Sequence, residues 1–458
     1  MMIQYRWIAM VVLAACGPAG LQDPDLGNGD DDVQQSDPTT ERDAAQTAST
    51  DAAQPKSSAD GGQPKPTDAA QAKPTDAAQP PAPIDGGQSQ AKDAAQPASK
   101  DAAQGMPKDA AQAAPKDAAQ SQPTEPDPLE GLAADWQVRA AGYLERRSSS
   151  WLASPPDIAN VKCAMSCHTT FAYMLARPFL APFATTAVAD AVRSRLETRV
   201  SETVAGTAVP FYGQNTDDKT TQSRATEAVL NAAALALDDI GRGAALSASA
   251  KTALDGMWAQ QNADGTWPWL EFGLEPWETR DDFGAAIAAL VAGSVPANSS
   301  SLQAAGTSQL VGYVQRRLDS MVLHDRAMVL YASSKLTTLL QAPQAQRIAA
   351  DLAATQLANG GFSLGAWGQG SVASSVAQKS DGYATAVAVL ALCTGTADGP
   401  KRTDVKRALA WLAHNQADDG SWPGQSVNAN TEQVKGFMTD AATAYVAIAL
   451  TLCAQSRP

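Results

Sequence analysis

The sequence predicts an all-α fold, an (α/α)6 toroid of six helical hairpins, preceded by a signal peptide and a long disordered linker. Three observations carry this. From Leu129 onward, amphipathic charged stretches alternate with small-residue, Ala-rich ones. Six markers on the Ala-rich stretches, His168, Thr226, Asp281, His324, Asp381 and Asp440, recur every 43 to 59 residues. Strand signals are nearly absent. A helix that is apolar nearly all round belongs inside and an amphipathic one outside, so six outer–inner pairs in order close a ring.

The first element is an address. Residues 1–15 carry one charge, Arg6, then an apolar run from Trp7 to Ala15, too short to span a membrane and shaped like a signal-peptide core. Leu13-Ala14-Ala15-Cys16 resembles the bacterial lipobox, which implies lipidation of Cys16 and a lipid anchor in the cell envelope. Gly17 in the sorting position points to the outer rather than the inner membrane. The other reading is a plain cleavage site with Cys16 incidental.

Residues 16–128 form a tether. Between Gly17 and Pro128 there is no aromatic residue, and 19 acidic residues face 8 basic ones, so most of the formal net charge of −14 sits there. Asp-Ala-Ala-Gln recurs eight times between Asp43 and Gln120 with no apolar face in any copy. Such a segment cannot offset its ordering entropy. As a coil its ends stand roughly 60 Å apart. Its role is reach.

The remaining 129–458 is one domain. Outer helices are predicted near 133–149, 186–204, 246–261, 299–320, 344–357 and 402–416. Inner helices are predicted near 166–180, 222–239, 280–293, 323–337, 380–394 and 438–454. The absence of any Lys/Arg cluster excludes a nucleic-acid footprint, and no second long apolar run supports a polytopic membrane protein.

Three connections share Gln-x3-Gly-x-aromatic: Gln261 to Trp267, Gln356 to Phe362, and Gln416 to Trp422. They resemble the QW repeats of the squalene–hopene cyclase and prenyltransferase superfamily, whose fold is an α/α toroid and whose Gln and Trp tie helix ends together. The stretch from Trp267 through Asp282, Leu323-His-Asp-Arg326, Asp381-Gly-Tyr383 and Phe437-Met-Thr-Asp440 is similar to an exported bacterial branch of this superfamily that carries a cysteine-and-histidine motif near its start. The resemblance covers most of 130–458. It implies the fold more than the activity. Protonating cyclases use Asp-x-Asp-Asp, in which neighbouring carboxylates keep one acid protonated. That motif is absent; Asp281-Asp282 is the nearest carboxylate pair. The zinc site of protein prenyltransferases needs Asp, Cys and His, but Cys393 and Cys453, late in inner helices, read as buried small apolar residues.

The sharpest motif is Cys163-Ala-Met-Ser-Cys167-His168 at the entry to the first inner helix. It resembles the Cys-x-x-Cys-His attachment motif of haem c with one extra spacer residue, which implies thioethers to Cys163 and Cys167 and iron on His168. Two other readings compete: a Cys163–Cys167 disulfide, and a metal other than haem bound through His168. Met438, His324 and water are the candidate sixth ligands of a haem iron.

Polar residues cluster at matching ends of the inner helices: Arg280, Asp281, Asp282, His324, Asp325, Arg326, Asp381, Tyr383 and Asp440. Asp381 and Asp440 read as N-caps. The same ring of helix ends also forms a concave mouth, where Asp281, Asp282, Asp381 and Asp440 are the candidate catalytic carboxylates. Trp267, Trp269, Phe272 and Trp277 could wall it, and Glu275 and Glu278 add carboxylates. The functional expectation is a lipid-anchored envelope toroid with one covalent haem c, serving electron transfer to a redox partner or oxidation of an apolar ligand. The alternative is a haem-free enzyme or binder for isoprenoid or carbohydrate ligands.

Overall fold

A computed structural model describes residues 127–153, 166–209, 217–367, 379–428 and 432–454. The expected signal peptide, Cys16, Cys163 and all but the end of the tether lie outside these residues.

Among the described residues there are twelve α-helices and no strand. The odd-numbered helices are α1 (Trp136–Ala153), α3 (Thr186–Val204), α5 (Ala248–Ala259), α7 (Gln303–Arg317), α9 (Ala342–Ala354) and α11 (Thr403–His414). The even-numbered ones are α2 (Thr170–Leu180), α4 (Asp217–Gly241), α6 (Asp281–Ser294), α8 (Leu323–Ser333), α10 (Gly382–Gly395) and α12 (Glu432–Ala454). The even helices pack in the order α2, α4, α6, α8, α10, α12, and α12 returns to α2, so they close a ring. The odd helices pack outside it. This is the (α/α)6 toroid.

The side-chain pattern explains the two layers. On α11, Val405, Ala408, Leu409 and Leu412 form one buried stripe at helical spacing, and Lys406 and Arg407 lie off it. On α10, every residue from Gly382 to Cys393 is buried, because both the outer layer and the ring neighbours cover it. Small residues let ring helices approach: a Cβ on Gly395 of α10 would lie 2.6 Å from the Leu330 carbonyl oxygen of α8.

The three Gln-x3-Gly-x-aromatic loops work as staples between one outer helix and the next. Gln261 Nε2 donates to the Gly265 carbonyl of its own loop (3.2 Å) and to Gly306 of α7 (3.0 Å). Gln356 does the same with Gly360 (2.8 Å) and Asp404 of α11 (2.7 Å). Gln416 bonds Gly420 (3.0 Å) and then Trp136 of α1 (3.1 Å), which joins the end of the ring to its beginning. Gly420 is required there: its φ is +94°, and a Cβ would lie 2.2 Å from the Arg139 carbonyl oxygen. The Trp267 and Trp422 indole N–H groups are fixed to the Met257 and Leu412 carbonyls (2.7 and 2.8 Å).

Three expectations are corrected. The last inner helix begins at Glu432, so Asp440 lies inside α12 and is not an N-cap. The helix expected over 323–337 ends at Ser333, where Ser333 and Ser334 hydroxyls donate to the Leu330 and Tyr331 carbonyls (both 2.7 Å) and compete with helix continuation. Cys393 and Cys453 are buried as expected but are joined as a disulfide that ties α10 to α12, with Cα atoms 6.1 Å apart.

Candidate functional site

The ring helices α6, α10 and α12 are entered through long connections at one end of the toroid, whereas at the other end α2 and α4 leave through the short connections 181–185 and 242–247. The long-connection end is the mouth. The loop over 272–278 is folded back on itself: the Phe272 and Leu274 amides donate to the Glu278 carbonyl (2.8 and 3.2 Å), and the Glu278 amide donates to Leu274 (2.9 Å). The Glu275–Pro276 bond is cis. Trp269 Nε1 donates to the Trp277 carbonyl at 2.6 Å. Asn428, from the far side of the ring, exchanges bonds with the Glu275 backbone. These contacts aim Trp277 and Glu278 inward.

Rings from five hairpins meet behind them. The His168 ring lies 4.2 Å from Trp277 and 5.6 Å from Phe437, centroid to centroid. Trp277 also packs on Phe283 at 6.0 Å and edge-on to Tyr383 at 5.3 Å. Tyr383 rests in turn on Tyr445 at 5.1 Å. Through this plug runs a hydrogen-bond chain. Trp277 Nε1 donates to Tyr383 Oη at 2.7 Å, Tyr383 Oη lies 2.8 Å from His324 Nε2, and His324 Nδ1 lies 2.8 Å from Asp325 Oδ1. Indole can only donate. The Tyr383 hydroxyl therefore accepts from Trp277 and is also paired with His324 Nε2, while His324 Nδ1 faces the Asp325 carboxylate. All four residues are buried. His324 has both nitrogens committed and is not free to be a sixth haem ligand.

Other groups at this end are different: their polar side-chain atoms make no hydrogen bond among the described residues. Glu278 is 6 % exposed, its carboxyl makes no hydrogen bond, and burial raises its pKa to about 7 despite the opposing charge of Lys219. Neither nitrogen of His168 is hydrogen-bonded, and burial lowers its pKa to about 3, so the ring is neutral. Cys167 carries a free thiol, pushed far up by burial and by the Glu278 charge, while Cys163, its partner in the expected disulfide, lies outside the described residues. Lys219 closes the rim, donating to the Glu271 carbonyl at 2.6 Å and lying 4.6 Å over the Phe272 ring.

The four candidate catalytic carboxylates do not gather at one place. Asp281, at the start of α6, is half-buried without a hydrogen bond; burial and then the Glu271 and Asp282 charges raise its pKa to about 6. Asp282 accepts from Tyr313 Oη (2.5 Å) and Arg317 (3.3 Å) and ties α6 to α7. Asp381 caps α10, its two oxygens accepting from the Ala384 and Leu364 amides (2.8 and 3.0 Å); burial raises its pKa to about 7. Asp440 accepts from Tyr143 (2.8 Å), Arg147 (2.8 Å) and Thr169 (2.6 Å). Arg280 lies 3.7 Å from Glu275, and Arg326 turns to Asp351 at 2.5 Å. Trp267 is fully buried beneath its own loop.

Among the described residues no group of three or more His, Cys, Asp or Glu side chains is placed to hold a metal ion. The cysteine pair that sequence reasoning missed had a signal: Cys393 stands 12 residues after Asp381 and Cys453 stands 13 after Asp440, the same depth on adjacent ring helices.

No family model matches the chain, and no curated protein matches it significantly. Solved structures similar to it include the type II terpene cyclase MstE from Scytonema (14% identity, 68% of this chain and 98% of that one, TM-score 0.39). A glycosidase variant is similar at 12% identity (70% and 99% covered, TM-score 0.42), and a protein from Actinoplanes at 13% (69% and 98%, TM-score 0.41).

Proposed function

We propose that the toroid binds a small organic ligand at its mouth, against Trp277 and His168, and exchanges a proton with it through Glu278. The carrying observation is the Glu278 carboxyl: buried, without a hydrogen bond, and with a pKa of about 7. A carboxylic acid in that state can donate a proton near neutral pH and take it back. An indole and a neutral imidazole beside it suit a flat apolar face, such as an isoprene unit or the face of a pyranose ring. Asp381, Asp282 and Asp440 are satisfied by backbone or side-chain donors and hold the ring ends in place; Asp281 is the remaining unbonded carboxyl.

Covalent haem is the second reading, favoured by one observation: Cys167 and His168 stand adjacent with neither the thiol nor the imidazole nitrogens engaged. A neutral, unbonded imidazole is the form that ligates iron. Bound there, a haem would supply electron transfer. Cys163 would carry the second thioether.

The location we infer is the cell envelope, with the chain lipidated at Cys16 and reaching outward on its tether. The Cys393–Cys453 disulfide supports an oxidising compartment.

The mature protein, co-expressed with a c-type haem maturation system, separates these readings. A reduced haem spectrum that survives denaturation and vanishes in Cys163→Ser/Cys167→Ser establishes haem. For the acid site, farnesol and cellopentaose are tested by thermal shift at pH 6 and pH 8. One of them should stabilise the protein more at pH 6, and Glu278→Gln should remove that difference. A colourless protein that neither probe stabilises overturns both readings.

A further inference from the structure

The opposite end of the toroid holds a cavity. It has a volume of about 260 Å³ and lies among the C-terminal halves of five ring helices, walled by Leu175, Leu237, Ile240, Leu290, Met328 and Ile448 among others. Gly241 and Gly293 sit in its wall where helices nearly touch; a Cβ on Gly241 would lie 2.3 Å from the Pro178 Cβ. The helices therefore converge by close backbone approach, yet leave this space open between them.

Two tyrosines belong to the same wall. Tyr445 is 2 % exposed, and its hydroxyl has no hydrogen-bond partner. Tyr331 stands near enough for the two hydroxyls to influence each other electrostatically. A buried hydroxyl without a partner is costly to leave so. The Tyr445 ring meets Tyr383 at 5.1 Å, so the aromatic plug separates this cavity from the mouth. The one charged residue in the lining, Lys335, is exposed.

We propose that this cavity is a binding site for a compact, uncharged, mostly apolar molecule with one hydrogen-bond-accepting oxygen, and that Tyr445 donates to that oxygen. The volume equals roughly nine water volumes. The absence of a buried cation in the lining disfavours a carboxylate, whose desolvation would go uncompensated. An aliphatic hydrocarbon of equal size would bury the same area but leave Tyr445 unsatisfied.

The test uses the mature full-length protein with three probes, cyclodecanone, cyclodecane and decanoate, followed by calorimetry. Cyclodecanone should bind one to one, about ten-fold more tightly than cyclodecane, while decanoate should not bind at this site. Tyr445→Phe should erase the ketone's advantage and leave cyclodecane affinity unchanged. Leu237→Trp, which fills the cavity, should abolish binding of both in a protein whose circular dichroism is unaltered. Glu278→Gln should change none of these values, which separates this site from the mouth. Cyclodecanone binding that survives Leu237→Trp, or an absence of saturable binding to the parent protein, overturns the proposal.

Discussion

Arg147 Nε donates to Asp440 Oδ1 at 2.8 Å, and this contact joins the first outer helix to the last inner one. Tyr143 and Thr169 converge on the same carboxylate. Together with the Gln416–Trp136 bond, they make ring closure a specific polar event as well as a matter of packing. Removing one partner leaves a fully buried carboxylate under-compensated. Arg147→Met should therefore cost about 3 kcal/mol, read as a lowered urea midpoint with an unchanged slope.

Glu278 should make the protein less stable as pH rises. Its folded pKa of about 7 lies above the ordinary carboxylate value, so the folded state binds more protons than the unfolded one between those values. Stability then falls with rising pH across that window, by up to roughly 3 kcal/mol. Glu278→Gln should gain stability over the parent at pH 8 and match it at pH 4; urea midpoints at both pH values decide.

His168 works in the opposite sense. A folded pKa of about 3 means the folded state takes up its proton last, so this residue's contribution is full above the unfolded pKa and is lost as pH falls toward 3. In an NMR titration its imidazole signals should not shift between pH 8 and pH 5. A midpoint near 6 would show the ring to be solvated.

Tyr383 holds two partners at once. Tyr383→Phe leaves the Trp277 N–H and His324 Nε2 without their bonds inside the plug, and should cost about 2 to 4 kcal/mol. Trp277 emission should change with it, whereas Tyr173→Phe, which removes a buried hydroxyl that has no partner, should be stabilising by about 1 kcal/mol.

The Cys393–Cys453 bond spans a sequence separation of 60 residues. Closing a loop of that length restricts the unfolded chain by about 4 kcal/mol. The Cys393→Ala/Cys453→Ala variant should melt lower by a matching amount, and the reductant-induced drop in melting temperature seen for the parent should be absent from it.

Much of the architecture was legible from pattern. Helix period, alternating polarity and the three Gln-x3-Gly-x-aromatic loops placed every helix within a few residues, because these features are local or repeat at fixed spacing. The α8 end and the α12 start were misplaced because hydroxyl back-bonding and contacts to α1 decided them, and α4 begins at Asp217 rather than near 222. At the mouth, His168, Cys167, Glu278, His324 and Tyr383 were named, but their roles were not separable. Asp440 read as a cap and proved to be a clasp across the ring.

By itself, then, the sequence determined the number and order of helices and which faces are buried, since these follow from composition and periodicity along the chain; that the three Gln-x3-Gly-x-aromatic loops tie neighbours was implied by their resemblance to QW repeats. Only the tertiary structure decided which carboxylates are satisfied and which are left unbonded. It also decided that two late cysteines meet and that His324 is committed to a relay while His168 is not. These depend on distances between residues far apart in the chain, and no local pattern encodes a side chain's partners.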